Sequence, residues 1–205
     1  MDIIQTITLS LIQGFTEFLP ISSSAHLVLL PKIFSWPEQG LAFDVVLHFG
    51  TLCAIIYYYR NSLLVMSHDF ISSIQTRQME GEALLAWGVL LGTIPVGLAG
   101  LIFKDSIELN LRTLEVIAFA TLFFGLLLGF SDWLNRFLDR SREIIRGSDI
   151  LIIGCFQALA LIPGTSRSGI TITAALLIGL SRSLSVKFSF LLSIPVIAIA
   201  MIVKT

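Results

Sequence analysis

The stretch from residue 149 to residue 180 reads DILIIGCFQALALIPGTSRSGITITAALLIGL. Two apolar runs flank a polar centre, PGTSRSG, at residues 163–169. Neither run alone has the roughly 20 apolar residues that a bilayer-crossing helix needs. Irregular backbone at membrane depth is tolerated only where protein or a water-filled cavity satisfies its polar groups. The stretch therefore predicts two short helices joined by an elbow, as in a re-entrant hairpin.

Residues 2–34 show the same pattern, with an interruption, PISSS, at residues 20–24. Placing Pro20 on Pro163, an offset of 143 residues (163 − 20), sets the three serines of this first elbow against the Thr-Ser-Arg run of the second. The chain is therefore predicted to be a single membrane domain, residues 1–205, with a first repeat at about 1–103 and a second at about 113–205.

Four further apolar stretches are each about long enough to cross a bilayer. They lie at residues 41–59, 83–103, 114–133 and 185–203. Three of them separate the two elbows, and an odd number of crossings turns the second hairpin upside down relative to the first. The predicted fold is an all-α integral membrane protein, an inverted-topology repeat with two re-entrant helical hairpins and several transmembrane helices. Broken helices in such repeats point to a site near the bilayer midplane.

The composition favours lipid as the main solvent. Apolar residues make up 55% of the chain, the mean hydropathy is +0.90 and charged residues are only 13%, against about a quarter in soluble domains. The net charge of −1 gives no basic footprint for a nucleic-acid partner. Cys53 and Cys155 each stand alone in an apolar run, as buried small hydrophobes do. The N-terminus has neither the basic region nor the cleavage site of a removable signal peptide.

Charge bias predicts the orientation in the membrane. The densest basic run follows the third long stretch, so this loop is expected on the cytoplasmic side; its residues are Arg136, Arg140, Arg142 and Arg146. Counting back along the chain, a loop at 104–112 lies outside, a loop at 60–82 lies inside, and the first elbow opens from outside.

A polar stripe leads along the first helix to an acidic residue. Thr6, Ser10, Gln13 and Glu17 are spaced by four, three and four residues, which places all four on one helix face. Glu17 lies one turn before the first elbow. A carboxylate inside an apolar segment is usually functional, although an amphipathic helix lying at the membrane interface remains an alternative.

The first elbow combines hydroxyls with a histidine. Serine before an apolar run is a strong N-cap signal, so Ser22 can be a purely structural cap, but Ser22, Ser23 and Ser24 together exceed what a cap needs. His26 falls in the first turn of the next helix, where the positive end of the dipole disfavours imidazolium. A neutral histidine beside hydroxyls is suited to acid–base catalysis. The alternative is that His26 is a structural histidine whose ring is hydrogen-bonded inside the core.

Arg167 lies in the second elbow, where a guanidinium at membrane depth costs about 2.5–3.5 kcal/mol or more. Hydroxyls, backbone N–H groups at a helix start and a guanidinium fork together describe an anion site. A diphosphate is the natural occupant. The other polar side chains of both elbows are predicted to contact the substrate; they are Gln13, Ser22, Ser24, Thr165, Ser166, Ser168 and Thr171.

These residues resemble the two signatures of the bacterial undecaprenyl-pyrophosphate phosphatase family, of the bacitracin-resistance type. The run QGFTEFLPISSSAH at residues 13–26 is similar to the family's (E/Q)xxxE element with its serine cluster and histidine. The run PGTSRSGIT at residues 163–171 is similar to PGxSRSxxT at every fixed position. The resemblance extends over essentially the whole chain, although family members continue with further spans, so the chain is expected to be a fragment or a shortened form.

The resemblance implies hydrolysis of a polyprenyl diphosphate to the monophosphate at the outer side of the bacterial cytoplasmic membrane, with the membrane lipid as surroundings. By position, Ser23 is then the candidate nucleophile, His26 the acid or base and Arg167 the phosphate clamp. Glu17 is the acidic residue of catalysis or metal binding. A divalent cation, magnesium or calcium, is implied as the cofactor, and a homo-oligomer is left open.

Two rival functions follow from the same residues. Inverted repeats with broken helices also describe secondary transporters, so a lipid-phosphate flippase that uses Arg167 for binding is an alternative. The second rival is the type-2 phosphatidic-acid-phosphatase superfamily, whose pattern needs SRxxxxxH. Phe188 or Thr173 stands where its histidine would be, so the sequence does not fit this rival. Attack by Ser23 and direct attack by water both remain open as mechanisms.

Overall fold

The computed structural model describes residues 2–37, 39–111 and 113–204, and the ends of the predicted domain, residues 1 and 205, lie outside them. The described residues form nine α-helices, one 3-10 turn at Leu159–Leu161 and no β-sheet, which confirms the all-α class. The helices are α1 Ile3–Thr16, α2 Ser23–Ile33, α3 Leu41–Tyr58, α4 Arg60–Thr76, α5 Ala83–Asn110, α6 Leu114–Phe137, α7 Gly147–Ala158, α8 Arg167–Leu177 and α9 Arg182–Lys204.

Three segments are long and apolar enough to cross a membrane, Ala83–Phe103, Leu114–Phe137 and Arg182–Met201. They agree with three of the predicted spans. The fourth predicted span, residues 41–59, corresponds to α3, which continues into α4 after a bend of 76° and passes the same test only together with it. The described chain is therefore a multi-pass membrane protein with three such spans, or four if the bent pair is one.

Two predicted loops are helical. The loop at 60–82 contains α4, because Leu63, Met66 and Phe70 recur at helical spacing and pack against the core beside α5. Trp87 of α5 donates from Nε1 to Ser73 Oγ at 3.1 Å, which ties the two helices together. The loop at 104–112 is shorter than predicted, since α5 runs to Asn110; residue 112 lies outside the described residues.

Each interrupted stretch folds as two short helices in contact, α1 with α2 and α7 with α8. Serine caps the second helix of each pair, as predicted for Ser22 in the first. Ser22 Oγ accepts from the backbone N–H of Ala25 at 3.4 Å, and Ser166 Oγ accepts from the N–H of Gly169 at 3.2 Å. The caps satisfy backbone donors that a helix start leaves unpaired, so both breaks are defined turns. They bring the polar elbows to fixed positions.

The main core lies between α5, α7, α8 and α9, with fully buried Phe188, Leu191 and Ile153 at its centre. Helices α5 and α7 approach closely at a glycine pair. A Cβ added at Gly154 would lie 2.8 Å from the carbonyl oxygen of Gly92 and 3.0 Å from its Cα. Small residues permit such backbone contact between membrane helices, and here the contact fixes α7, the helix that leads into the second elbow.

Replacing Gly154 by alanine should lower thermal stability, because the added methyl group meets backbone that cannot rotate away. We expect a destabilisation of about 1–3 kcal/mol, the usual cost of overpacking, visible as an earlier unfolding transition in detergent. Gly97→Ala in α5 is the matched control, since no heavy atom lies within 4 Å of its added Cβ. Equal melting temperatures for the two variants would contradict the close approach of α5 and α7.

Candidate functional site

A buried ion pair joins the two elbows. Glu17 follows the end of α1, and Arg167 is the first residue of α8. Glu17 Oε1 accepts a hydrogen bond from Arg167 Nη2 at 2.9 Å. The side chains are only 8% and 12% exposed, so water does little to screen the attraction between their charges. The pair brings together residues that lie 150 positions apart in the chain.

The second oxygen of the same carboxylate faces the first elbow. Ser23 Oγ donates to Glu17 Oε2 at 2.7 Å, and Gln13 Nε2 donates to it at 2.9 Å. Gln13 lies one helical turn before Glu17, as the polar stripe predicted. The carboxylate is therefore held in one orientation, with one oxygen on the arginine and the other on the serine hydroxyl. A carboxylate in that position can accept the serine proton.

Arg167 is held from behind by α9. Its Nη1 donates to the carbonyl oxygen of Ser189 at 3.4 Å. Thr171 Oγ1 donates to the Arg167 carbonyl at 2.9 Å and shares a 2.6 Å hydrogen bond with Ser189 Oγ. A guanidinium carries five N–H donors. The hydrogen bonds to Glu17 and to the Ser189 carbonyl use two of them. The remaining donors match what a phosphate group accepts.

The second elbow packs directly on the first and on α6. Ser168 Oγ donates to the carbonyl oxygen of Leu19 at 3.3 Å. Gly164 has φ +94° and packs against the Ile117 backbone, so that a Cβ there would lie 2.9 Å from the Ile117 Cα. Thr121 of α6 donates to the Gly164 carbonyl at 3.1 Å. Only glycine accommodates both the positive φ and this contact, which explains the Pro-Gly start of the elbow.

The remaining predicted site residues lie in the two elbows on either side of this cluster. Ser22 caps α2 from a left-handed conformation, φ 63°. Ser24 is exposed and lies 3.3 Å from the Ser22 hydroxyl. Ser166 caps α8, and its hydroxyl lies 3.1 Å from that of Ser168. Thr165 is buried, and its hydroxyl has no hydrogen-bond partner among the described residues.

His26 is oriented by a backbone carbonyl. Its Nδ1 lies 2.8 Å from the Ser22 carbonyl oxygen, and since a carbonyl only accepts, Nδ1 carries the hydrogen. Ser23 lies three residues before His26, a spacing that predicts a shared helix face on which the two side chains could come within hydrogen-bond reach. In the structure Ser23 instead donates to Glu17, because a carboxylate is the stronger, charge-assisted acceptor.

Two residues of the site were missed from the sequence. His48, in the middle of α3, places Nε2 3.8 Å from Glu17 Oε2. Ser189 supports Arg167 as described above. A histidine inside an apolar span is a signal that could have been used, since ionisable side chains in such segments are usually functional. Nothing in the sequence marks Ser189, because the hydroxyl of a serine in a membrane helix commonly hydrogen-bonds a backbone carbonyl of the same helix.

The site fits the predicted divalent cation poorly. Both oxygens of Glu17 already have partners, and no group of three His, Cys, Asp or Glu side chains comes together in the part of the chain that the structure describes. The spare oxygen nearby is Gln13 Oε1, which is buried and unpaired within that part. A cation there would compete with Arg167 and Ser23 for the oxygens of Glu17.

The helices and the buried Glu17–Arg167–Ser23 cluster define a multi-pass membrane protein with a charged polar site between two helix breaks. Residues 6–205 match the family described as Bacitracin resistance protein BacA. The chain belongs to this family.

Curated relatives extend the likeness over nearly the whole chain. An undecaprenyl-diphosphatase of Ruthia magnifica subsp. Calyptogena magnifica is 59% identical over 202 residues, 98% of this chain and 76% of the relative. One of Vesicomyosocius okutanii subsp. Calyptogena okutanii is 58% identical with the same coverage. Undecaprenyl-diphosphatase 2 of Stutzerimonas stutzeri is 55% identical, over 98% of this chain and 75% of the relative.

Removing one partner of the ion pair should cost more stability than removing both. Glu17→Gln leaves the Arg167 charge buried without its counter-ion, which typically costs about 3–5 kcal/mol. The double variant Glu17→Gln/Arg167→Met removes that unpaired charge, so its unfolding free energy should be higher than the sum of the single effects predicts. Thermal unfolding of the four proteins in one detergent measures this coupling. Strictly additive losses would mean that the two charges do not interact.

Proposed function

We propose that the protein is an undecaprenyl-diphosphatase, which hydrolyses a long-chain polyprenyl diphosphate to the monophosphate and phosphate and so recycles the lipid carrier of cell-wall synthesis. Three relatives that are 55–59% identical over 98% of the chain carry that name. The observation that carries the proposal is the pairing of Glu17 with Ser23 on one side and with Arg167 on the other. A base thus contacts both a hydroxyl nucleophile and a phosphate-binding cation.

In the proposed reaction, the free N–H groups of Arg167 bind the terminal phosphoryl group. Glu17 accepts the proton of Ser23 as the serine oxygen bonds to the terminal phosphorus. The bridging P–O bond breaks, and its electron pair leaves with the polyprenyl monophosphate. Water then attacks the phosphoserine, which releases phosphate and returns the serine hydroxyl. Backbone N–H groups at the start of α8 stabilise the charge that develops on the phosphoryl oxygens.

His26 is the proposed second acid–base group. Its Nδ1 hydrogen is committed to the Ser22 carbonyl, which leaves Nε2 to exchange a proton with the leaving group or the attacking water. Magnesium or calcium remains a prediction from the family resemblance. Because the protein oxygens at the site are few, the diphosphate itself would have to provide most of the ligands of such a cation.

The inverted repeat and the re-entrant hairpins are part of the proposal. Moving the bounds of α1, 3–16, by the offset of 143 gives 146–159, and α7 spans Gly147–Ala158. The same shift moves α2, 23–33, to 166–176, where α8 spans Arg167–Leu177. It moves α3, 41–58, to 184–201, inside α9. This agreement, helix by helix, supports two repeats whose broken helices meet at the site.

We also propose that the protein lies in the bacterial cytoplasmic membrane with its site open to the outer side. The support is the arginine-rich stretch formed by the last turn of α6 and the segment between α6 and α7, where Arg136, Arg140 and Arg146 are exposed. Basic segments of this kind stay on the cytoplasmic side. The first elbow and this segment lie on opposite sides if three spans separate them. These spans are α5, α6 and the bent pair α3 and α4, which must then cross the membrane together as one span.

A lipid-phosphate flippase would use the same arginine but would release no phosphate. Nothing in the names of the relatives favours it. It also gives no role to the hydrogen bond between Ser23 and Glu17, since binding and moving an anion require no nucleophile.

Ser23→Ala should abolish phosphate release from undecaprenyl diphosphate by the purified protein. We expect a loss of at least about 10³-fold, in the range found for nucleophile removal. Ser24→Ala is the matched control: Ser24 is exposed and contacts only the Ser22 hydroxyl among the described hydrogen bonds, so this variant should keep far more of the turnover than Ser23→Ala does. A Ser23→Ala enzyme with a large share of parental turnover would exclude the phosphoserine and leave direct attack by water.

The orientation predicts which introduced cysteines react from outside the cell. With Cys53 and Cys155 replaced, Gly40→Cys should react with an impermeant thiol reagent, because residue 40 is exposed and a Cβ there meets no atom within 4 Å. Gln78→Cys and Glu143→Cys, also exposed, should react only after the cells are opened. The reverse pattern would invert the orientation, and labelling of all three in intact cells would contradict the span count.

A further inference from the structure

We propose that His48 is a further positioning residue of the site, which holds Glu17 Oε2 against the Ser23 hydroxyl. The inference rests on the proposed function, since it names how the carboxylate that accepts the serine proton is kept in place. It adds to the two family signatures a residue from α3, a helix that neither signature includes.

One ring nitrogen of His48 is hydrogen-bonded within α3, and the other faces Glu17. His48 Nδ1 lies 2.7 Å from the carbonyl oxygen of Asp44, one turn earlier in α3. A carbonyl only accepts, so Nδ1 carries the hydrogen of this bond. The opposite ring nitrogen, Nε2, then points at Glu17 Oε2 from 3.8 Å. With its ring held this way and its side chain only 25% exposed, His48 has little freedom to turn towards solvent.

Three groups from three directions surround the same carboxylate oxygen. Gln13 approaches Oε2 from α1 at 2.9 Å, Ser23 from the start of α2 at 2.7 Å, and His48 from α3 at 3.8 Å. The other oxygen is held by Arg167. The histidine contact is longer than a hydrogen bond, so the inferred role of His48 is steric. A third side chain beside Oε2 leaves the carboxylate less room to move away from Ser23.

The second repeat indicates that the fold itself does not require a histidine here. At the offset of 143, His48 corresponds to Leu191, which is fully buried in α9. Gln13, Glu17 and His26 likewise correspond to Phe156, Ala160 and Gly169. These four polar residues of the first repeat, His48 among them, are thus apolar or small in the second, whereas the serines of the first elbow correspond to the polar run Thr165-Ser166-Arg167. A histidine needed only for helix packing would have no reason to follow the same pattern.

The test compares two substitutions of His48 in steady-state kinetics with undecaprenyl diphosphate. His48→Leu, which installs the residue of the second repeat, should lower kcat about 10- to 100-fold with KM changed less than about 2-fold, because misplacing a reacting group by a fraction of an ångström slows chemistry more than binding. His48→Gln should retain kcat within about 3-fold, since its side chain is also polar and can occupy the same space beside Oε2. Both should keep the parental melting temperature.

His68→Leu is the matched control, because His68 is exposed on α4 and contacts only the neighbouring Asp69 among the described ion pairs. It should leave kcat and KM unchanged. The inference is overturned if His48→Leu keeps kcat within 2-fold of the parent, if only KM changes, or if the leucine and glutamine variants lose activity equally with lowered melting temperatures. Absence of phosphate release by the unaltered protein would instead overturn the proposed function, and this inference with it.

Discussion

The buried pair of Glu17 and Arg167 is the interaction on which the rest of the site depends. Each charge alone would be costly at this depth, because removal from water is repaid only by a close and well-aligned partner. At 2.9 Å, with both side chains about nine-tenths buried, each residue provides that partner for the other. A buried ion pair is weak evidence for stability in itself. Its retention between two helix breaks is better explained by what the two groups do there.

The surrounding structure keeps the pair in place and keeps part of each group available. Glu17 is fixed by Gln13, Ser23 and the 3.8 Å approach of His48, and Arg167 is supported by the Ser189 carbonyl. The elbows themselves are held by backbone contacts, from Ser168 to Leu19 and from Thr121 to Gly164. The Gly164 carbonyl has the Thr121 hydroxyl as its partner, and the Leu19 carbonyl accepts from the Ile21 N–H as well as from Ser168. Pairing of this kind is the condition for irregular backbone inside a membrane.

Hydropathy and turn chemistry were enough to predict the helical class, the long spans and the positions of both elbows, because each of these depends on residues close together in the chain. Helix α4 was missed since its apolar face is only one side of a polar segment, and its partner, Trp87, lies 14 residues beyond Ser73. The hydrogen-bond partner of Ser23 was also missed. Spacing along α2 placed it beside His26, whereas the bond to Glu17 depends on how the chain turns at Pro20, which spacing alone does not determine. His48 shows the same limit, because its relation to Glu17 exists only after α1 and α3 have packed.

The central claim is that one guanidinium both neutralises Glu17 and binds the substrate phosphate, and Arg167→Lys separates these two roles. Lysine keeps the positive charge beside Glu17 but offers a point charge in place of a planar fork. Turnover of undecaprenyl diphosphate and thermal unfolding should be measured on the same preparation. We predict that the melting temperature stays close to that of the parent, while kcat/KM falls by at least about 100-fold. Parental turnover by the lysine variant, at equal stability, would contradict the claim.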